Sequence, residues 1–251
     1  MRRSSLRIAC LFSALSLPLA SHAPIHAAEI APDTMLNAEQ SVPWRGVGRV
    51  NVAGLNRRGL CSGALIEPDL VLTAAHCIVS SKTGRPYRLK DIHFVAGWHK
   101  GKKTGHGRAT ALAIHPDYLP VPPKTAEDIG RDIALIRLDA PLTEKAANPF
   151  PVVQPPLPGE PLTLVNYRRD RQHALTYQPD CPYGTITGAM LIIDCPVIQG
   201  ASGSPVFREI DGIPHIVAVI VAMNGGRPPK AFAVRADNAL PILKPLLPGG
   251  S

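Results

Sequence analysis

The chain has 251 residues, 45% of them hydrophobic and 18% charged, with an excess of eight positive charges. That is enough apolar material for one large core or two small ones, and it excludes a chain disordered throughout. No segment after the first 28 residues offers about 18 uninterrupted apolar residues, so a membrane-spanning helix is not expected there.

Residues 1–28 read as a secretory signal peptide: Arg2, Arg3 and Arg7 give a positive opening, residues 8–20 an apolar stretch, and Ala23, Ala27 and Ala28 the small residues of a cleavage region. Cleavage is expected near Ala27 or Ala28, with export to a periplasm or to the outside of the cell. It removes Cys10 and leaves Cys61, Cys77, Cys181 and Cys195, an even count that implies two disulfides in an exported protein. Removing Arg2, Arg3 and Arg7 lowers the charge excess from 8 to 5, a modestly basic surface and not a nucleic-acid-binding one. Residues 29–42 then form a short N-terminal or pro segment.

Short β-type runs follow at 46–50, 62–66, 70–72, 92–96, 109–114 and 133–138, separated by turn residues. They place a first β unit at 43–140. Residues 141–161 hold Pro141, Pro149, Pro151, Pro155, Pro156, Pro158 and Pro161, too many for a central strand, and read as a crossover. Runs resume at 162–165, 188–193, 204–207, 213–221 and 231–234, giving a second unit at 162–251, in which Asp237 caps a short helix reaching Leu247. The spacing predicts an all-β sandwich or barrel. Two basic clusters, 99–108 and 167–173, read as solvated loops, with anion or polyanion binding as the alternative.

Three segments carry chemistry. Cys61-Ser62-Gly63-Ala64-Leu65-Ile66 precedes Val71-Leu72-Thr73-Ala74-Ala75-His76-Cys77; alone, His76 would serve equally as a packed residue or half of a metal site. Gly200-Ala201-Ser202-Gly203-Ser204-Pro205 surrounds a serine with small residues, so the backbone can turn tightly and expose Oγ. Such a hydroxyl becomes a nucleophile only when a neighbouring imidazole takes its proton. In Asp132-Ile133-Ala134-Leu135-Ile136-Arg137-Leu138 a carboxylate opens an apolar strand, which is costly to bury unless hydrogen-bonded. Asp128 is a rival acid, but Glu127 and Gly130 beside it mark a loop.

Together, in the order His76, Asp132, Ser202, these segments resemble the chymotrypsin/trypsin-like serine proteases. The Gly-x-Ser-Gly-Ser-Pro form is closest to the bacterial glutamyl-endopeptidase-like branch, and Ala113-Ile114-His115-Pro116-Asp117-Tyr118 extends the likeness to residues 43–240. The resemblance implies an all-β fold of two six-stranded antiparallel barrels with a short C-terminal helix. It implies a secreted endopeptidase with His76 as general base and acid, Ser202 as nucleophile, Asp132 as orienting carboxylate, and the Gly200 and Ser202 N–H groups as oxyanion hole. Losing one such donor typically costs about 10²–10³ in rate. Disulfides are expected from Cys61 to Cys77, a closure that stabilises by about 3 kcal/mol, and from Cys181 to Cys195. A polypeptide substrate, no cofactor, no metal, no nucleic-acid or membrane partner and a monomer complete the expectation.

The chain departs from trypsin at Ala201, where an Asp would receive a newly freed N-terminal amine, and at Pro196, the expected floor of the pocket for the residue before the scissile bond. With walls from Val221, Ala222, Met223 and 231–233, that pocket should take small to medium apolar residues and not Lys or Arg. The reading from another class is a non-catalytic or narrowly specific binding protein on the same fold. A metalloprotein fails on spacing: His93, His99 and His106 lie six and seven apart with no paired acid or cysteine.

Overall fold

The computed structural model describes residues 33–54, 57–122, 125–226 and 230–249; the expected signal peptide lies outside them. In chain order the described residues form β1 (Thr34–Met35), β2 (Val47–Gly54), β3 (Arg57–Glu67), β4 (Leu70–Thr73), β5 (Ile92–Ala96), β6 (Gly105–Ile114), β7 (Ala134–Leu138), β8 (Leu162–Asn166), β9 (Thr176–Cys181), β10 (Tyr183–Thr187), β11 (Met190–Ile193), β12 (Pro205–Ile210), β13 (Ile213–Met223) and β14 (Ala231–Arg235), with helices α1 (Ala126–Gly130) and α2 (Ala236–Leu243).

The first six long strands close on themselves as the barrel β2-β3-β4-β7-β6-β5, every neighbouring pair antiparallel. Alternation aims one face inward. On β5, Ile92, Phe94 and Ala96 are fully buried while His93 and Val95 between them are half-buried. β4 is buried along its whole length and β7 nearly so, which makes them the rigid wall of this barrel.

The remaining strands form an eight-stranded sheet in the order β1-β9-β8-β12-β13-β14-β11-β10, curled into a half-barrel. The all-β, chymotrypsin-like expectation holds, with one refinement: the second half is not a closed ring of six. Residues 176–187 would be a single strand bordering both β8 and β11, but Pro182 has no N–H to give a ladder. The strand therefore divides into β9 and β10 at opposite ends of the sheet, and β1 adds a further edge by pairing Thr34 with Tyr177. Aromatic rings from both halves lock together: Phe207 on β12 lies 5.1 Å from Trp44 and 4.8 Å from Phe150, centroid to centroid.

Asp237 does not cap the C-terminal helix. Arg235 holds the N-cap position, and Asp237, inside the first turn, takes the Arg235 guanidinium at 2.6 and 3.1 Å. Pro241 lies inside the helix, which passes into a 3-10 turn at Lys244–Leu246.

Candidate active site

β4 delivers His76. The strand ends at Thr73, and a 3-10 turn Ala75–Cys77 follows at once, tied to β3 by the Cys61–Cys77 disulfide with its Cα atoms 6.0 Å apart. Because β4 and β7 pair with Thr73 opposite Ala134, the residue two before Ala134 lies beside the residue three after Thr73. That register brings Asp132 to His76 across 56 residues of chain. The carboxylate grips the histidine twice: Oδ1 accepts the His76 backbone N–H at 2.9 Å, and Oδ2 lies 2.6 Å from Nδ1. With Nδ1–H engaged, the neutral ring carries its lone pair on Nε2. Burial disfavours the imidazolium, but the Asp132 hydrogen bond and charge outweigh it, so the His76 pKa stands above the ordinary imidazole value.

Asp128, the rival acid, is occupied at the start of α1. Its side chain accepts the Thr125 N–H at 3.0 Å while Thr125 Oγ1 accepts the Asp128 N–H at 3.1 Å. This capping box holds it in the first turn of a short helix, where a loop was expected.

Ser202 stands on the turn before β12, and the flanking glycines are there of necessity. Gly200 has φ +99°, and a Cβ on it would come within 2.8 Å of Arg169 N and Tyr167 O. Gly203 has φ +78°, and a Cβ there would lie 2.2 Å from Ser62 O. Within the turn, Ala201 N–H bonds Ile198 O and Gly203 N–H bonds Ile220 O at 2.7 Å, while among the described residues the N–H groups of Gly200 and Ser202 have no acceptor. The turn is tied to the first barrel by Ser62, a fully buried residue that sequence reasoning passed over. Its N–H donates to Ser202 O at 2.8 Å, its Oγ donates to Gly200 O at 3.2 Å, and the same Oγ accepts the Tyr167 N–H at 3.0 Å.

His76, Gly200 and Ser202 line one cleft of about 940 Å³. His76 Nε2 lies 3.8 Å from Cys77 Sγ and makes no hydrogen bond to Ser202 among the described residues. A second hollow of about 290 Å³ shares His76 and takes Asp132, Val79, Tyr118, Leu119, Val121, Ile129, Val221 and Ala222. Of the residues expected to form the substrate pocket, Val221 and Ala222 therefore lie beside the site. Met223, 45% exposed, and Pro196, whose carbonyl accepts Gln178 Nε2 at 3.0 Å, line neither hollow. The second disulfide joins Cys181 and Cys195 across 14 residues.

Sulfur and nitrogen atoms of Cys61, His76 and Cys77 lie within 4.8 Å of one another, but both sulfurs are spent in the disulfide and offer no thiolate. The β5–β6 pairing brings His93 Nδ1 to 3.0 Å from His106 Nε2, a contact that spacing along the chain did not show. The two rings face each other nitrogen to nitrogen with no acid or cysteine in a shared ligand set among the described residues.

The basic cluster 167–173 is not simply a solvated loop. Arg168 is 9% exposed and faces Asp33 and Asp170, Arg171 donates to Asp33 O, and Arg169 reaches Gln199 at the cleft. Asp170 stands within the cluster, but Asp33 was invisible as a partner because it is 135 residues away from Arg168 in sequence.

A match to the family described as Trypsin runs from residue 37 to residue 243. The chain belongs to the trypsin family. Human granzyme M is 37% identical over 94 residues, and the modular serine protease of Drosophila melanogaster is 32% identical over 87. Those alignments cover 36% and 32% of this chain, 32% of granzyme M and 13% of the fly protein. The chain thus spans about a third or less of these relatives, both of them animal proteins and neither named a glutamyl endopeptidase. Among the described residues of this trypsin-family chain, no helix is long and apolar enough to cross a membrane.

Proposed function

We propose that the chain is a secreted serine endopeptidase that hydrolyses peptide bonds through an acyl-enzyme on Ser202. The observation that carries this reading is the double grip of Asp132 on His76 in a cleft also lined by Ser202 and by two N–H groups without an acceptor. A hydrogen bond from Ser202 Oγ to Nε2 is of the kind that commonly tightens only when substrate is bound.

The steps follow from the groups present. Nε2 takes the Ser202 proton as Oγ adds to the scissile carbonyl, and Asp132 stabilises the imidazolium through Nδ1–H. Negative charge gathering on the carbonyl oxygen is met by the Gly200 and Ser202 N–H groups, already free of other partners. The imidazolium passes its proton to the leaving amine, the C–N bond breaks, and the peptide remains esterified to Ser202. Water then enters and adds to the ester carbonyl as Nε2 takes its proton; the C–Oγ bond breaks, Oγ takes that proton back from the imidazolium, and the acid leaves. In this reading residues 43–140 supply base and carboxylate, residues 162–251 supply the nucleophile, and the apolar surface of Val221 and Ala222 favours apolar residues before the scissile bond. The signal peptide in residues 1–28 supports export. The likeness to the glutamyl-endopeptidase-like branch rests on the Gly-x-Ser-Gly-Ser-Pro form of the nucleophile turn alone.

The test is hydrolysis of a peptide library by purified protein and by Ser202→Ala and His76→Ala. Each variant should keep the parent Tm and lose hydrolysis, because the pair acts as a unit. Full activity in Ser202→Ala would overturn the assignment.

A further inference from the structure

The two hollows that meet at His76 differ in charge. The smaller is largely apolar, its charged members being the acids Asp128 and Asp132 beside His76, and it includes Val221 and Ala222, the expected wall for residues before the scissile bond. The larger is the one that takes Ser202; it runs along β2 and β3 and is lined by Arg49, Asn51, Leu60, Tyr87, Arg169 and Gln199 among others. Among the described residues its lining holds two arginines and no carboxylate.

Arg49 is the unusual member. On β2, Val50 and Val52 face the barrel core, so the alternation turns Arg49 and Asn51 outward into the cleft. The Arg49 guanidinium sits 5.1 Å over the Trp98 ring, yet its Nε is buried without a hydrogen-bond partner. Burial lowers its pKa, and the only opposing influence is Tyr167, with no carboxylate taking part. Arg137, Arg168, Arg171 and Arg235 behave otherwise, each facing a carboxylate within 4 Å. A half-buried cation that faces no acid is costly, and a carboxylate placed against the end of its guanidinium offsets that cost with a charge-assisted, two-pronged pair. Arg169 adds a second cation at the lip, held there by its side-chain bond to Gln199 and by its backbone N–H on Gln199 O at 2.8 Å.

We propose that this arm of the cleft binds acidic residues of the polypeptide substrate on the leaving-group side of the scissile bond, with Arg49 as the chief recognition residue and Arg169 as the second. The inference rests on the serine endopeptidase reading for its direction along the substrate. The charge excess of the chain favours encounter with such substrates.

The experiment uses internally quenched peptides that share one acyl-side sequence and carry Asp/Glu, Asn/Gln or Lys at the first three positions after the scissile bond. The acidic peptide should exceed the neutral one by about tenfold in kcat/KM, the scale of one charge-assisted hydrogen bond. The lysine peptide should fall below the neutral one. Arg49→Gln should bring the acidic-to-neutral ratio close to one, Arg49→Lys, which keeps the charge but not the two-pronged geometry, should keep only part of it, and raising the salt concentration should shrink it. The same peptides titrated onto Ser202→Ala protein read affinity without hydrolysis and should rank alike. Equal affinities in that titration, or a ratio unmoved by Arg49→Gln, overturn the proposal. Arg49-dependent binding of a sulfated polysaccharide with no peptide preference also overturns it. Failure of the protease reading shows differently: none of the peptides is cut, while the titration still ranks them.

Discussion

His76 and Asp132 stand on the closed barrel, at the ends of two buried strands that pair from Leu70 opposite Arg137 to Thr73 opposite Ala134, whereas Ser202 stands on a turn that no ladder fixes. The base and its carboxylate are positioned by local register: once β4 and β7 pair, the two side chains have to meet. The nucleophile is positioned across the molecule instead. Its carbonyl, and that of Gly200, hang from Ser62 on β3, and Gly203 has to be free of a side chain for Ser62 to come that close. The half with the closed barrel therefore sets the geometry of both partners, and the curled sheet supplies a nucleophile whose placement depends on one buried serine.

The local half of the comparison breaks most severely at its carboxylate. Asp132→Asn keeps the shape but no longer favours the imidazolium or the reactive tautomer, and kcat/KM should fall by about 10⁴. Its pH profile sharpens the point. In the parent, activity should rise with pH as His76 loses its proton, at a pKa above that of ordinary imidazole because Asp132 outweighs burial. With Asn in place, burial remains and the inflection should move to lower pH. The same shift is linked to stability: a folded-state pKa raised above the unfolded one adds stability below the unfolded value, which is lost as pH rises through the folded value. Melting temperatures measured across that range should show the loss in the parent and not in Asp132→Asn.

The non-local half breaks next. Gly203→Ala sets a Cβ against the Ser62 carbonyl at a positive φ, and misplacing the turn should cost about 10² in kcat/KM, together with a loss of about 1–3 kcal/mol in stability by denaturant titration. Ser62→Ala is milder. It removes the Oγ bonds to Gly200 and Tyr167 but keeps the backbone bond to Ser202, so kcat should fall by about tenfold with KM nearly unchanged, at about 1 kcal/mol of lost stability.

The same contrast governs what was legible beforehand. The strands of the closed barrel show in the chain as alternating or fully apolar runs such as 92–96 and 133–138, and the motifs around His76 and Asp132 sit on them. β9 carries Pro179 and Asp180, and Pro182 parts it from β10, which together hide the period of a strand, and β1 has only two residues whose partners lie some 140 positions away. Asp237 looked like a cap because caps favour that residue type, but the N-cap is Arg235, two residues earlier, and the acid takes the Arg235 guanidinium instead. Arg49 was readable as an outward residue of a strand. That it meets no carboxylate depends on where every acid of the fold lies, which no single stretch of sequence contains.

The central claim is that Ser202 is a nucleophile activated by His76, and labelling by a fluorophosphonate followed by peptide mapping tests it most directly. The account predicts a single adduct on Ser202, formed at a rate that rises with pH through the His76 titration and absent from His76→Ala. An unlabelled parent protein, an adduct on another residue, or undiminished labelling of Ser202 in His76→Ala would contradict it.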